Sequence, residues 1–446
     1  MIYTYAKKIP DSKKYDVIVV GSGSAGATAA IACARASAKV LLLERLPFLG
    51  GTSTAVLDTF YGFYTPGKES KKVVAGVPDD VISGLKRYGS CLERPNTHGA
   101  GTGVTYHPEY LKVVWEDLAK RSGVEVLLNA WVQDVVADQS KVEALIAATK
   151  LGLRRFDAKV IVDASGDADI CHFAGIGYEL AGADEPAQTL TTTFKLVNVN
   201  VAQRKTIDKK AFHALMSEAA NSGGYNLPRK EGSDHITPVD HMTATIMTRL
   251  PSFRREGSHV VNATDPELLS AAEMEGRTQA LEYIRFLRDK VPGYQKAQLS
   301  TFGTQIGVRE TRRVYGDYRL TRDDVLSARQ FDDQIGLCGA PIEDHHGGTD
   351  TTWSYLPEGR CVGIPYRTLL PRDAVNVLVA GRCFSATHDA HASVRSMAQC
   401  MSMGQAAGAA AAMAVNSGRM PREIKVAELQ SNLRHSGAIL ELDKVE

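Results

Sequence analysis

The stretch "DVIVVGSGSAGATAAIACARASAKVLLLE", Asp16 to Glu44, limits the fold of this chain more than any other. "DVIVV" is a short apolar run of the kind buried in a parallel sheet. Gly21, Gly23 and Gly26 follow at once as Gly-x-Gly-x-x-Gly, around Ser24 and Ala25. Small residues then continue as a helix. "KVLLLE" reads as a second buried strand ending in Glu44, next to Arg45. Gly21 allows the tight turn, Gly23 lets the backbone approach a pyrophosphate, and Gly26 lets helix and strand pack closely. The phosphates face the positive end of the helix. Glu44 stands at the spacing expected for the acidic residue that binds a ribose hydroxyl. A carboxylate there repels a 2′-phosphate, so a free ribose diol is expected. This pattern alone does not separate NAD from FAD.

Later segments narrow the choice. "LGGTSTA" (49–55) follows the ribose position, "KVIVDASGDADI" (159–170) is a buried strand ending in a Gly/Ser turn, and "NVLVAGRC" (376–383) is another strand-to-turn unit. The late segment continues as "FSATHDAHASVRSMAQCMSMGQAAG". Together with "GVRETRRVYGDYRLTRDDVL" (307–326) and "GIPYRTLLPR" (363–372), these segments resemble the FAD-dependent oxidoreductase family of the glutathione-reductase-like FAD fold. Asp389 stands where that family commonly has Glu, and Ala392 where it commonly has Gly. The resemblance is weakest over 195–300.

The resemblance implies an α/β fold. A Rossmann-like, glutathione-reductase-type FAD-binding domain is formed by residues 1–190 and 360–446, with an inserted α+β substrate or cap domain over 191–359. It implies FAD as cofactor. Gly50, Gly51, Thr52 and Ser53 are expected along the pyrophosphate and the flavin edge. Ala164, Ser165, Gly166 and Asp167 are expected over the adenosine side. Val132, in the probable strand "WVQDVVAD", either meets the adenine through its backbone or is core. Gly381 and Arg382 complete the late turn, where Arg382 positions phosphate or loop carbonyls.

The uncharged run Met397–Val415 reads as a tight buried helix, with Gly404-x-x-x-Gly408 permitting close backbone approach. Ser393 is expected to cap it, with Val394 and Arg395 at its mouth. A helix N-terminus aimed at the flavin stabilises charge that develops on reduction. His388 and His391 then become acid–base candidates, with a limb in the pH profile between roughly pH 5 and 8. The alternative is that one or both only hold the loop. Zinc at His-x-x-His lacks further ligands, so no metal is expected.

"EDHHGGTDTTWSYLPEGR" (343–360) reads as a pocket wall, with His345, His346 and Tyr355 as further catalytic candidates and Trp353 against the substrate. Arg309 is a candidate clamp for a substrate carboxylate. In an extended strand it shares a face with Arg313 and not with Arg312. "CLERPNTHGAGTGVTYHPEY" (91–110), which carries the substrate candidate His98, resembles a mobile lid. "RKEGSD" (229–234) reads as a solvated turn.

A formal net charge of +1 gives no field for nucleic acid or an acidic membrane surface. No segment is expected to span a membrane. The seven scattered cysteines and the absence of an apolar leader suit a reducing cytoplasm, so Asn262-Ala-Thr reads as a chance sequon. The function expected is dehydrogenation of a small or medium polar donor, preferably a hydroxyl, by hydride transfer to FAD. Oxygen, a quinone or a carrier protein is the acceptor. The alternatives are reduction of a C=C or C=O bond, flavin hydroxylation, and an FAD-bound assembly protein without catalysis.

Overall fold

The computed structural model describes residues 8–9, 13–67, 70–94, 103–346 and 348–442. Its centre is a seven-stranded sheet. Strand β1 (Lys14–Val20) lies parallel to β2 (Val40–Leu43), with Val17 opposite Val40. Between them runs helix α1 (Ser24–Arg35), whose small residues let it lie flat on the sheet. On its other edge β1 pairs with strand Gly152–Asp163, Val17 opposite Val160. That twelve-residue strand takes two neighbours along its far edge. Lys141–Thr149 runs antiparallel over its first half, and Val377–Val379 runs parallel over its end. All three dinucleotide turns expected from sequence therefore leave the same edge of one sheet.

Helix Met397–Ser417 lies across α1 and is almost entirely buried. A Cβ on Gly404 would sit 2.1 Å from the Ala25 carbonyl oxygen, and one on Gly408 2.2 Å from that of Ala29. The two backbones are in direct contact, as Gly-x-x-x-Gly predicts. No helix among the described residues is long and apolar enough to cross a membrane.

A second layer is built on a four-stranded antiparallel sheet of Phe194–Val197, Ser233–Ile236, Thr243–Ile246 and Gln298–Phe302. Helices Lys209–Asn221 and Pro266–Lys290 cover it, around Phe212, Tyr283 and Phe286. This separate core draws on residues 194–302. Leu320, Val325, Leu337 and Ile342 belong to the main core instead, so the expected stretch 191–359 contributes to both layers. The "lid" is also corrected in part. Cys91–Arg94 and Gly103–Tyr106 are paired strands, and Val104 and Tyr106 are buried in the main core.

Candidate functional site

A cavity of about 800 Å³ runs from the dinucleotide turns into the second layer. Gly21, Gly23, Ser24, Ala25, Glu44 and Arg45 wall one end. Gly21 has φ +86° and no room for a side chain, since a Cβ would meet the Ala164 carbonyl oxygen at 2.5 Å. Gly26 lies behind the wall, where its Cβ would meet the Gly21 carbonyl oxygen at 1.8 Å. Gly23 differs: nothing of the protein lies within 4 Å of its Cβ position. Glu44 is buried and accepts from Ser22 N (2.8 Å), Ser22 Oγ (2.6 Å) and Leu46 N (2.8 Å). Arg45 donates to Gln305.

Gly51 and Thr52 line the cavity, while Gly50 and Ser53 stand behind them, with Ser53 Oγ donating to the Gly50 carbonyl at 2.7 Å. Val132, Ala164, Ser165, Gly166 and Asp167 line the adjoining wall, as do Gly381 and Arg382. Arg382 ties the turns together by donating to the carbonyls of Gly166 and Val308 and to the Asp167 carboxylate.

These residues fit a dinucleotide. The Ser24 hydroxyl, at the start of α1, is buried with no partner among the described residues. It is a donor awaiting a phosphate oxygen at a helix N-terminus. Gly23 leaves open space where a side chain would block the pyrophosphate. Replacing Gly23 with Val should therefore yield a folded protein without bound cofactor. Its thermal transition should stay near that of cofactor-stripped wild type, and its flavin absorption should be absent.

Toward the second layer the cavity meets the mouth of the uncharged helix. Arg395, Ser396 and Met397 line it. Here one expectation is corrected: Ser396, not Ser393, is the N-cap residue of Met397–Ser417. A separate short helix, His388–Val394, precedes it and is capped by Thr387. Ser393 Oγ donates to the Ala340 carbonyl at 2.6 Å, and neither Ser393 nor Val394 reaches the cavity. The chain bends at Arg395, so the helix mouth begins three residues later than the Ser-rich pattern suggested.

The opposite wall carries Arg229, Arg309, Glu343, His345, Thr351 and Trp353. His345 is buried. Its Nε2 lies 3.0 Å from Glu343 Oε1, and its Nδ1 3.0 Å from Thr351 Oγ1. A carboxylate only accepts, so Nε2 carries the hydrogen and Nδ1 is the basic nitrogen. Burial, then Arg309, push the His345 pKa down to about 3. Burial alone would raise Glu343, but His345, Arg395 and Arg309 outweigh it and hold the carboxyl at about 2. Burial and the neighbouring Arg395 lower Arg309 to about 9, so it stays charged at neutral pH.

Of the five catalytic candidates, only His345 lines the cavity. His388 and His391 are corrected. His388 is buried; its Nδ1 donates to Glu310 at 3.0 Å, and its Nε2 faces Gln188 (3.2 Å) and Asp344 (3.3 Å). Glu310 is itself fully buried and paired with Arg313. His391 stacks on Phe384, and its Nε2 donates to the Arg382 carbonyl at 2.8 Å. Burial, with Arg395 beside it, drives His391 far below the ordinary histidine range. His391 holds the loop that carries Arg382, while His388 ties its short helix to Glu310. His346 is turned toward Asp344, and Tyr355 is 49% exposed beside Trp353; neither lines the cavity. Asp344, His346 and His388 do bring ligand atoms within 4.8 Å of one another, but Gln188 Nε2 already donates to Asp344 and faces His388. His98 lies outside the described residues. In "GVRETRR", Arg309 and Arg312 line the cavity, while Arg313 turns away to Glu310 and Glu179. The strand begins only at Arg312, so strand alternation does not govern Arg309.

The family model for FAD-dependent oxidoreductases matches residues 16–433. The chain belongs to that family. As an FAD-dependent oxidoreductase it is an enzyme whose cofactor is FAD. Thiamine thiazole synthase from Methanococcus aeolicus is 28% identical over 243 residues, covering 51% of this chain and 84% of that protein. Digeranylgeranylglycerophospholipid reductase 2 from Methanothermobacter thermautotrophicus is 24% identical over 200 residues, covering 41% and 50%. A solved geranylgeranyl bacteriochlorophyll reductase-like protein from Thermoplasma acidophilum covers 96% of this chain and 88% of its own, with a TM-score of 0.45 and 12% identity.

The cavity of this oxidoreductase is also walled by Arg229 and Glu343, which the local sequence pattern did not single out. Arg229 is buried and lines the wall, not a solvated turn. Glu343 was visible only as the edge of a histidine cluster. Arg229 carries no local signature because its partners Tyr283 and Thr351 come from distant segments, whereas Glu343 faces its near neighbour His345.

Proposed function

We propose that this FAD-dependent oxidoreductase dehydrogenates a small polar donor at a hydroxyl-bearing carbon, with His345 as the base. The observation that carries the reading is the position of His345. It shares one cavity with the dinucleotide turns and the helix mouth at Ser396–Met397, and its imidazole is neutral with Nδ1 free of a proton. FAD, when bound, supplies the acceptor for the hydride. Glu343 holds the imidazole in one tautomer and offsets the imidazolium charge once Nδ1 takes the hydroxyl proton. The dipole of the uncharged helix favours negative charge at its mouth.

The reverse direction, reduction of a C=C or C=O bond, is the second reading, favoured by the several reductases among the curated relatives. A glutathione-reductase-type topology for the flavin domain is supported by the parallel strands around β1 joined to the antiparallel pair Trp131–Asp138 and Lys141–Thr149. A cytoplasmic location is supported by seven free cysteines. Oxygen, a quinone or a carrier protein takes the electrons onward. Anaerobic mixing of the yellow holoenzyme with hydroxyl-bearing compounds tests the reading. Bleaching of the flavin band by one class is expected; bleaching by none, with re-oxidation of dithionite-reduced enzyme by unsaturated acids instead, would favour the reverse direction.

A further inference from the structure

Arg229, Arg309 and Arg395 line the cavity around the single Glu343 carboxylate, whose ion-pair partner among the described residues is His345 and none of the three guanidinium groups. Arg229 donates to the Ile246 carbonyl (3.2 Å) and to Thr351 Oγ1 (3.4 Å), and its Nε has no partner among the described residues. Arg309 donates to the Thr189 carbonyl at 2.7 Å, with Thr191 Oγ1 at 3.5 Å. Arg395 Nε is likewise unpartnered among the described residues. None of these partners is a carboxylate. Arg229 feels Glu343 and Glu231 through space and pairs with neither. A buried guanidinium group left without an anion is costly, and a planar fork of donors matches a carboxylate better than any neutral group.

We propose that this end of the cavity binds the carboxylate of a small 2-hydroxy acid, with Arg229 and Arg309 as its clamp and His345 beside the hydroxyl. This rests on the dehydrogenase reading above and names its substrate class. The spacing comes from Thr351: one hydroxyl oxygen is within hydrogen-bond reach of both Arg229 Nη2 and His345 Nδ1. A carboxylate on Arg229 and a hydroxyl on His345 are therefore neighbours, as on adjacent carbons of one molecule. In the reaction the C–H bond breaks and its electron pair leaves with the hydrogen as hydride to FAD. The hydroxyl proton goes to His345 Nδ1, and the C–O bond becomes the C=O of a 2-oxo acid.

The anion also conditions the base. Arg309 and Arg229 are among the groups that hold His345 down. A carboxylate seated on them screens that charge and makes His345 easier to protonate. A neutral diol gives no such effect, so the clamp selects acids in turnover as well as in binding.

The test uses the FAD-loaded full chain, with oxalate as a non-reducing probe and glycolate, lactate and malate against ethylene glycol and propane-1,2-diol as donors. Oxalate should perturb the flavin spectrum saturably, and the acids should bleach it far faster than the diols. Arg229→Gln should weaken oxalate binding roughly 10- to 100-fold, Arg229→Lys should recover part of that loss, and FAD content should be unchanged. Arg309→Gln provides a second variant should Arg229→Gln lose its fold. Equal oxalate affinity in wild type and both Gln variants would overturn the clamp, as would diols matching the acids. If oxalate binds through Arg229 but no hydroxy acid bleaches the flavin, the anion site stands and the dehydrogenase reading falls. If neutral alcohols bleach it and oxalate does not bind, the dehydrogenase reading stands and the anion site falls.

Discussion

Replacing His345 with Gln should slow flavin reduction by donor about 10²- to 10⁴-fold, the usual cost of losing a positioned base, while leaving FAD content and the oxidised spectrum intact. Glutamine fills similar space and still donates toward Glu343, so the wall survives and only the basic Nδ1 is lost. The pH profile supplies the second readout. In the free enzyme His345 is neutral above about pH 3, so the base is lost only as pH falls through that value. Second-order reduction by donor should run flat from pH 5 to 8, without the limb an ordinary histidine would produce. His388→Gln and His391→Gln should behave differently. Each disturbs a buried network, around Glu310 or the Arg382 carbonyl, so thermal stability should fall while FAD that remains bound is reduced at near wild-type rate. Stopped-flow reduction beside thermal melts separates the two outcomes; a reduction defect in His388→Gln at normal stability would return the base to that residue.

Gly404→Val should damage the fold and the cofactor site together. Its Cβ would lie 2.1 Å from the Ala25 carbonyl oxygen, and the obstacle is backbone that cannot rotate away. Helix α1 must move off the uncharged helix, carrying Ser24 and the turn at Gly21 with it. Overpacking of this kind costs about 1–3 kcal/mol and more where backbone must shift, so both a lower thermal midpoint and loss of FAD are expected. Gly408→Val should act in the same way through Ala29. The contrast with Gly23→Val is the diagnostic: there the fold is kept and only the cofactor is lost. A Gly404→Val protein that retains FAD and melts like wild type would show that the two helices have slack between them.

Much of the framework could be read directly. The dinucleotide turn, the helix Pro266–Lys290, the strand Trp131–Asp138 and the close helix crossing each follow from local periodicity or spacing. Those signals are short in range and survive without knowing the rest of the molecule. The site itself was harder. His388 and His391 carry the right chemistry at a helix start, but Glu310 and Phe384 decide which way they face. Arg229 sat in a polar run that looks solvated, and only Tyr283, which exchanges hydrogen bonds with its backbone at 2.8 Å, and the covering wall bury it. Ser393 and Ser396 are equally good caps by composition; the bend at Arg395 selects between them. What the local pattern leaves open is direction, and direction is set by partners on other elements, such as Glu310 for His388 and Tyr283 for Arg229.

The contact between α1 and the uncharged helix has a temporal consequence. The cofactor's first turn leaves the ribosome near residue 21, whereas the helix that braces it ends at Ser417. At about 5–20 residues per second, tens of seconds pass in which the Gly-rich turn exists without its brace, and strand Gly152–Asp163 waits as long for Val377–Val379. Nascent chains halted before residue 396 should therefore fail to capture FAD, and loading waits for the brace rather than seeding the fold.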